Sequence, residues 1–184
     1  MDFKPFRMKD VRTLLSWIKS EEALMQWAGP IFTWPITQSC FRRHLKSSKM
    51  ESPTLYPFGL YRNSVILGYC ELSDHRRRFN CANVSRVVIS PKHRDRKLGQ
   101  YMVGRLLTFG FEQLCLNRIG LGVFDFNAAA IKCYTRIGFK LEGTLRQSVK
   151  VGESYWNCNM MSILRSEWFE LERRNAGKKM KGKK

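Results

Sequence analysis

Acidic residues are scarce in this chain. Its 184 residues hold 15 Asp and Glu against 33 Lys and Arg, a formal net charge of +18. Seven of the positive charges fall in residues 173–184, where no acid occurs, leaving +11 on the rest. A balance this basic draws phosphates and acidic surfaces to the chain without dictating its fold. Ribosome or RNA contact through a basic surface is therefore one expectation, beside a plain solvated surface. Long apolar runs are missing as well. Nothing approaches the roughly 18 consecutive apolar residues of a membrane-spanning helix, and residues 1–5 lack the pattern of a signal peptide. A cytoplasmic protein with no membrane partner is expected. Histidine is rare, at positions 44, 75 and 93, and the six cysteines at 40, 70, 81, 115, 133 and 158 include no Cys-x-x-Cys pair. Zinc ligands come at short paired spacings, so no metal is expected, and the cysteines read as small buried hydrophobes.

What is present can build a core. The chain is 43% apolar and 12% aromatic, well above the range of disordered sequences, and its length suits one domain. The expected organisation is a domain over 1–172 and a basic, flexible tail over 173–184. Phe3 and Phe6 mark a short first strand. Asp10 is placed to cap a helix with Val11, Leu14, Leu15 and Ile18 on one face. Residues 24–37, rich in Trp, Pro and Gly, read as an irregular loop, and Thr37 opens a short helix through Phe41 and Leu45. Strands are expected over 54–61, 65–72 and 82–89, the first two forming a hairpin and residues 73–80 a surface turn. A helix from Gly99 to about Gln113 follows, then a strand over 118–124, a helix from Asn127 to Ile137, a strand within 152–164 and an amphipathic stretch over 168–171. Gly138 is suited to stop the second of those helices in a left-handed conformation. This order predicts an α+β (mixed α/β) fold with helices packed on a sheet.

Two segments carry chemistry. In the first, Val87-Val88-Ile89-Ser90-Pro91-Lys92-His93-Arg94-Asp95-Arg96-Lys97-Leu98-Gly99-Gln100, an apolar strand runs through a short basic loop into a helix. The first amides of a helix lack internal partners and lie at the positive end of its dipole, which suits a phosphate. Arg94, Arg96 and Lys97 add countercharge, and Gly99 permits close approach to the backbone. In the second, Asn127 caps a helix that carries Tyr134 on its apolar face. Each feature alone has an ordinary structural reading; the joint spacing is informative.

Together the two segments resemble the GNAT superfamily of acyl-CoA-dependent N-acetyltransferases. The family's loop pattern, Arg/Gln-x-x-Gly-x-Gly/Ala, is matched by Arg94, Lys97 and Gly99. Its later signature, Asn-x-x-Ala-x-x-x-Tyr-x-x-x-Gly-Phe, is complete as Asn127, Ala130, Tyr134, Gly138 and Phe139. The ending, Gly152 … Tyr155-Trp156-Asn157 … Met161-Ser162 … Glu167-Trp168, resembles the RimJ/RimL branch, ribosomal-protein N-terminal acetyltransferases. The likeness covers roughly residues 3 to 168. It departs at Lys97, where the family usually has glycine and an unusual backbone angle.

The resemblance implies a central twisted, mostly antiparallel sheet of six or seven strands with helices on both faces, and acetyl-CoA as co-substrate without a metal. The pantetheine arm would lie between the strands 82–89 and 118–124. Val88 and Ile89 would pair with it, the amides of Asp95, Arg96, Lys97, Leu98, Gly99 and Gln100 would hold the pyrophosphate with Arg94 close by, and Asn127 would contact the arm. A neutral amine would attack the thioester directly, and Tyr134 would protonate the departing thiolate. Glu71 is the leading carboxylate for a base, Asp74 a weaker one, and a water chain the alternative. Trp17, Trp27 and Trp34 are candidates for an acceptor pocket. The acceptor is expected to be a protein N-terminal amine; a polyamine or aminoglycoside would want acids around it, and this chain of net charge +18 has few in its first half. A basic module of this fold that binds RNA or an acidic partner without catalysis is the rival of another class. Either a monomer or a homodimer is consistent with the sequence.

Overall fold

The computed structural model describes residues 1–181. Its strands are β1 (Asp2–Pro5), β2 (Tyr56–Arg62), β3 (Val65–Arg76), β4 (Cys81–Ile89), β5 (Arg118–Phe124), β6 (Lys140–Val151) and β7 (Ser154–Leu164). Its α-helices are α1 (Val11–Leu15), α2 (Glu21–Ala28), α3 (Gln38–His44), α4 (Leu98–Thr108), α5 (Ala128–Ile137) and α6 (Arg165–Lys181). The described strands form one sheet in the order β1-β2-β3-β4-β5-β7-β6, antiparallel throughout except for the parallel pair β4 and β5. This is the mixed α+β sheet that the sequence led us to expect.

Each face of the sheet has its own core. Against one, α1, α2 and α3 set Val11, Leu14, Leu24, Trp27 and Phe41 on Tyr61, Ile66 and Tyr69. Against the other, α4 sets Met102, Val103, Leu106 and Leu107 on Leu60, Leu67, Leu72, Val84 and Ile119, with Tyr134 and Trp168 beside them. Burial on both faces explains why the first half of β3, Val65 to Cys70, reads as an unbroken apolar run. Five side chains of α4 are buried, at about 1.5–3 kcal/mol for a large apolar side chain. Packing fixes this helix firmly enough for its first turn to tolerate an unfavourable approach.

Several elements differ from expectation for local reasons. Asp10 precedes α1 without capping it, because its carboxylate accepts from Arg7 Nε at 2.7 Å and from the Tyr61 hydroxyl at 3.2 Å. The supposed loop at 24–37 begins inside α2, whose cap is Ser20, with Oγ accepting from the Ala23 amide at 3.2 Å. β3 runs on to Arg76 past the expected turn, since His75 is buried and meets the Tyr56 hydroxyl at 3.0 Å. The last turn expected of α4 is a π-helical turn over Phe109–Gln113. β6 is exposed at nearly every position, so no alternation of apolar residues betrays it. The backbone of 173–181, assigned to a basic tail, continues α6; residues 182–184 lie outside the described residues. No described helix is long and apolar enough to cross a membrane.

Candidate active site

The parallel pair comes apart. β4 and β5 are in register at Cys81–Arg118, Ala82–Ile119 and Asn83–Gly120, then separate while β4 continues to Ile89 and β5 to Phe124. On its other edge β4 is bulged. Tyr69 faces Val88 and Glu71 faces Ser85, so Cys70 stands opposite two residues, Arg86 and Val87. A bulge bends its strand and raises the local twist, here at the level where the strands diverge. Two clefts open beside the gap, of about 410 and 350 Å³. Both are lined by Gln26, Trp27, Val87, Asn127, Ala130 and Tyr134, so they meet at one wall.

The smaller cleft gathers Val88, Ile89, Arg94, Gly99, Asn127 and Tyr134. Asp95, Arg96, Lys97 and Gln100 belong to the loop and first turn around Gly99, whereas Leu98 turns into the core. Lys97 is left-handed at φ +58, immediately before α4, and Asp95 at φ +60. The left-handed angle implied at position 97 is thus present on a lysine, at a cost of roughly 1 kcal/mol or more. Its side chain caps nothing. A Cβ added at Gly99 would meet Cys133 Sγ at 3.7 Å, an ordinary contact. Protein packing does not demand glycine there; the bare backbone beside unpartnered amides is open to a ligand.

Tyr134 is set by α5. Asn127 caps that helix, its Oδ1 accepting from the Ala130 amide at 3.2 Å, and Gly138 ends it at φ +112. A Cβ at Gly138 would also collide with Leu171 of α6. Tyr134 is buried, and burial, followed by the nearby thiols of Cys133 and Cys70, pushes its hydroxyl far above the ordinary value of a phenol. It stays protonated at any physiological pH.

Glu71 lies elsewhere than expected. It is fully buried and lines neither cleft. It accepts from Arg86 Nε and the Tyr69 hydroxyl, and His44 Nε2 stands 3.1 Å from both of its oxygens. The carboxylate expected as a base sits under α3, apart from both clefts. Asp74 is exposed, 3.3 Å from Asn83 Nδ2 and 3.2 Å from Arg76. Of the three tryptophans, Trp17 and Trp27 line the clefts and Trp34 does not. Sequence reasoning passed over Arg86 and His44. The available signal was a charged residue inside each of two neighbouring apolar strands, opposite in sign.

Comparison with known proteins fits this geometry. The family model described as Acetyltransferase (GNAT) family matches residues 21–139. An uncharacterized N-acetyltransferase of Bacillus subtilis (strain 168), YoaA, is 29% identical over 99 residues, 54% of each chain. The spermidine N(1)-acetyltransferase of Vibrio cholerae is 29% identical over 82 residues, 45% of this chain and 47% of the relative. The chain thus spans about half the length of the curated relatives it matches. In fold, it superposes on the crystal structure of a Vibrio cholerae spermidine N-acetyltransferase in complex with CoA and spermine, with a TM-score of 0.80, 19% identity and coverage of 91% of this chain and 97% of the other. With the family model spanning well over half of its residues, the chain belongs to the acetyltransferase (GNAT) family.

Proposed function

We propose that this protein transfers an acetyl group from acetyl-CoA to a primary amine, and that the preferred amine is one of low basicity, such as the α-amine of a polypeptide. The observation that carries the choice of acceptor is the cleft lining. Among the described residues, no carboxylate and no histidine lines either cleft, and Tyr134 is held in its protonated form. Nothing there is suited to deprotonate an ammonium ion. An α-amine with a pKa near 8 is roughly one-tenth neutral at pH 7, whereas an alkylamine near 10.4 is neutral to only about one part in a few thousand. A cleft without a base favours the former, and one without acids gives a polycation no countercharge.

The residues divide the work. The amides opening α4, with Arg94, Arg96 and Lys97 as countercharge, suit the pyrophosphate of the co-substrate. The edge of β4 that faces β5, without a strand partner at Val88 and Ile89, offers main-chain groups to the pantetheine arm, and Asn127 stands beside it. Holding thioester and amine together supplies several kcal/mol of the acceleration. A strand amide near Val88 or Ile89 would stabilise the tetrahedral oxyanion, and the Tyr134 hydroxyl would give its proton to the leaving sulfur.

A second reading is acetylation of a small amine such as a polyamine, favoured by the likeness to spermidine N-acetyltransferases. Ribosomal acceptors, RimJ/RimL-like specificity and RNA contact rest on sequence resemblance and charge. The test is coenzyme A release with a panel of free-α-amine peptides, spermidine and an aminoglycoside across pH 6–9. The α-amine reading expects peptides to lead and kcat/KM to rise tenfold per pH unit until the acceptor's own pKa near 8. Spermidine leading at pH 7 would reverse the choice of acceptor.

A further inference from the structure

Three elements, β3, β4 and α3, meet at one buried carboxylate. Glu71 of β3 accepts from Arg86 Nε on β4, faces His44 Nε2 of α3 at 3.1 Å, and accepts from the hydroxyl of Tyr69, which shares its face of the strand. Arg86 is the bulge residue, left-handed at φ +50. Its carbonyl accepts from Trp27 Nε1 of α2 at 2.9 Å. Both ends of Arg86 are therefore fixed, the guanidinium by β3 and the main chain by α2. A carboxylate is costly to bury unless it is paired and hydrogen-bonded. This one has its partners and no opening to the cleft.

We propose that Glu71 and Arg86 form a clasp that holds the β4 bulge in place, and so sets where the main chain of Val87 and Val88 meets the acetyl thioester; Glu71 takes no proton from the acceptor. This rests on the acetyl-transfer reading above. The ground is position. Val87 directly follows the clasped residue, and it lines both clefts, as Tyr134 does. Without the extra residue at 86–87, the strand beyond would slip by one position against β3, and each side chain and amide would turn to the opposite face. Glu71 is thus a positioning residue that acts through Arg86, and His44 ties the same carboxylate to the helical layer that walls the clefts.

The test compares wild type, Glu71→Gln and the double variant Glu71→Gln/Arg86→Gly. Glycine takes a left-handed angle without a side-chain penalty, so it can supply the bulge with no clasp. Coenzyme A release from acetyl-CoA is followed against pH with the best amine of the panel, and each protein's melting temperature is recorded. Expected is a fall in kcat of roughly ten- to a hundredfold in Glu71→Gln, with the acid limb of kcat/KM bending at an unchanged pH, and recovery of most of that loss in the double variant. Disappearance of the acid limb in Glu71→Gln would make Glu71 the base. Unchanged kcat there would leave the clasp idle, and a folded double variant no better than the single would show that the bulge is not what Glu71 provides. Should Glu71→Gln fail to fold, the double variant, free of both buried charges, decides alone: turnover near wild type supports the clasp, and its loss overturns it. A wild type that releases no coenzyme A with any amine removes the acetyl-transfer reading itself, an outcome distinct from a working wild type with unaffected variants.

Discussion

Arg86 and Lys97 share a backbone conformation that residues other than glycine seldom adopt, at φ +50 and +58, yet the two are held in opposite ways. Arg86 is nearly buried, ion-paired to Glu71 from one side and fixed at its carbonyl by Trp27 from the other. Lys97 is exposed, and its side chain caps nothing. At the bulge the protein itself holds the strained geometry. At the loop before α4 it is held by the packed helix that follows, and its cationic side chain is left in solvent. Strained backbone persists where the surroundings over-determine it, and it gathers at functional sites.

This contrast can be broken from either side. The largest effect should come from Glu71→Ala, which strands the Arg86 charge in the interior. Denaturant unfolding should show a loss of about 3–5 kcal/mol, against under about 0.5 kcal/mol for Lys97→Ala. Next is Tyr134→Phe, in the wall that the two clefts share. It should lower kcat about a hundredfold, the scale of a lost general acid, while calorimetry finds acetyl-CoA affinity nearly unchanged. Lys97→Gly should act on two quantities in opposite directions. Stability should rise by up to about 1 kcal/mol as the left-handed penalty disappears. Affinity for acetyl-CoA should fall several-fold at low salt, with the gap narrowing as salt screens the lost countercharge.

The smallest effect lies away from the clefts, at the exposed pair of Arg118 and Glu142, 2.6 Å apart. Hydrogen bonds from Arg118 and then Ser162 hold the Glu142 carboxyl at about 2, below the ordinary glutamate value of about 4.3. Its stabilisation is therefore complete above about pH 4.5 and is lost as the pH falls toward 2. Glu142→Gln should cost under about 1 kcal/mol at neutral pH, as an exposed pair does, and progressively less as the pH falls through about 2. Melting curves across that range would check it.

The sequence was most readable where a local signal has one physical meaning. The Asn127 cap, the Gly138 stop and the strand over 118–124 stand as expected. The left-handed angle at Lys97 could be inferred because glycine usually fills that place. What stayed hidden depends on layers meeting in three dimensions. β6 has no apolar alternation to read, since it is exposed almost throughout. α2 was obscured by Trp, Gly and Pro around its end, although Ser20 caps its start. Glu71 was recognised as chemically notable, but its burial under α3 and its pairing with Arg86 across a bulge follow from strand register, which no local pattern reports.

In the proposed function, acetyl-CoA occupies the cleft opened by the diverging β4 and β5, with the amides before α4 at its end. Isothermal titration of the protein with acetyl-CoA tests it most directly. Saturable heat with one site per chain and a higher melting temperature are expected; the absence of both at saturating concentrations would rule out acetyl-CoA binding in this cleft.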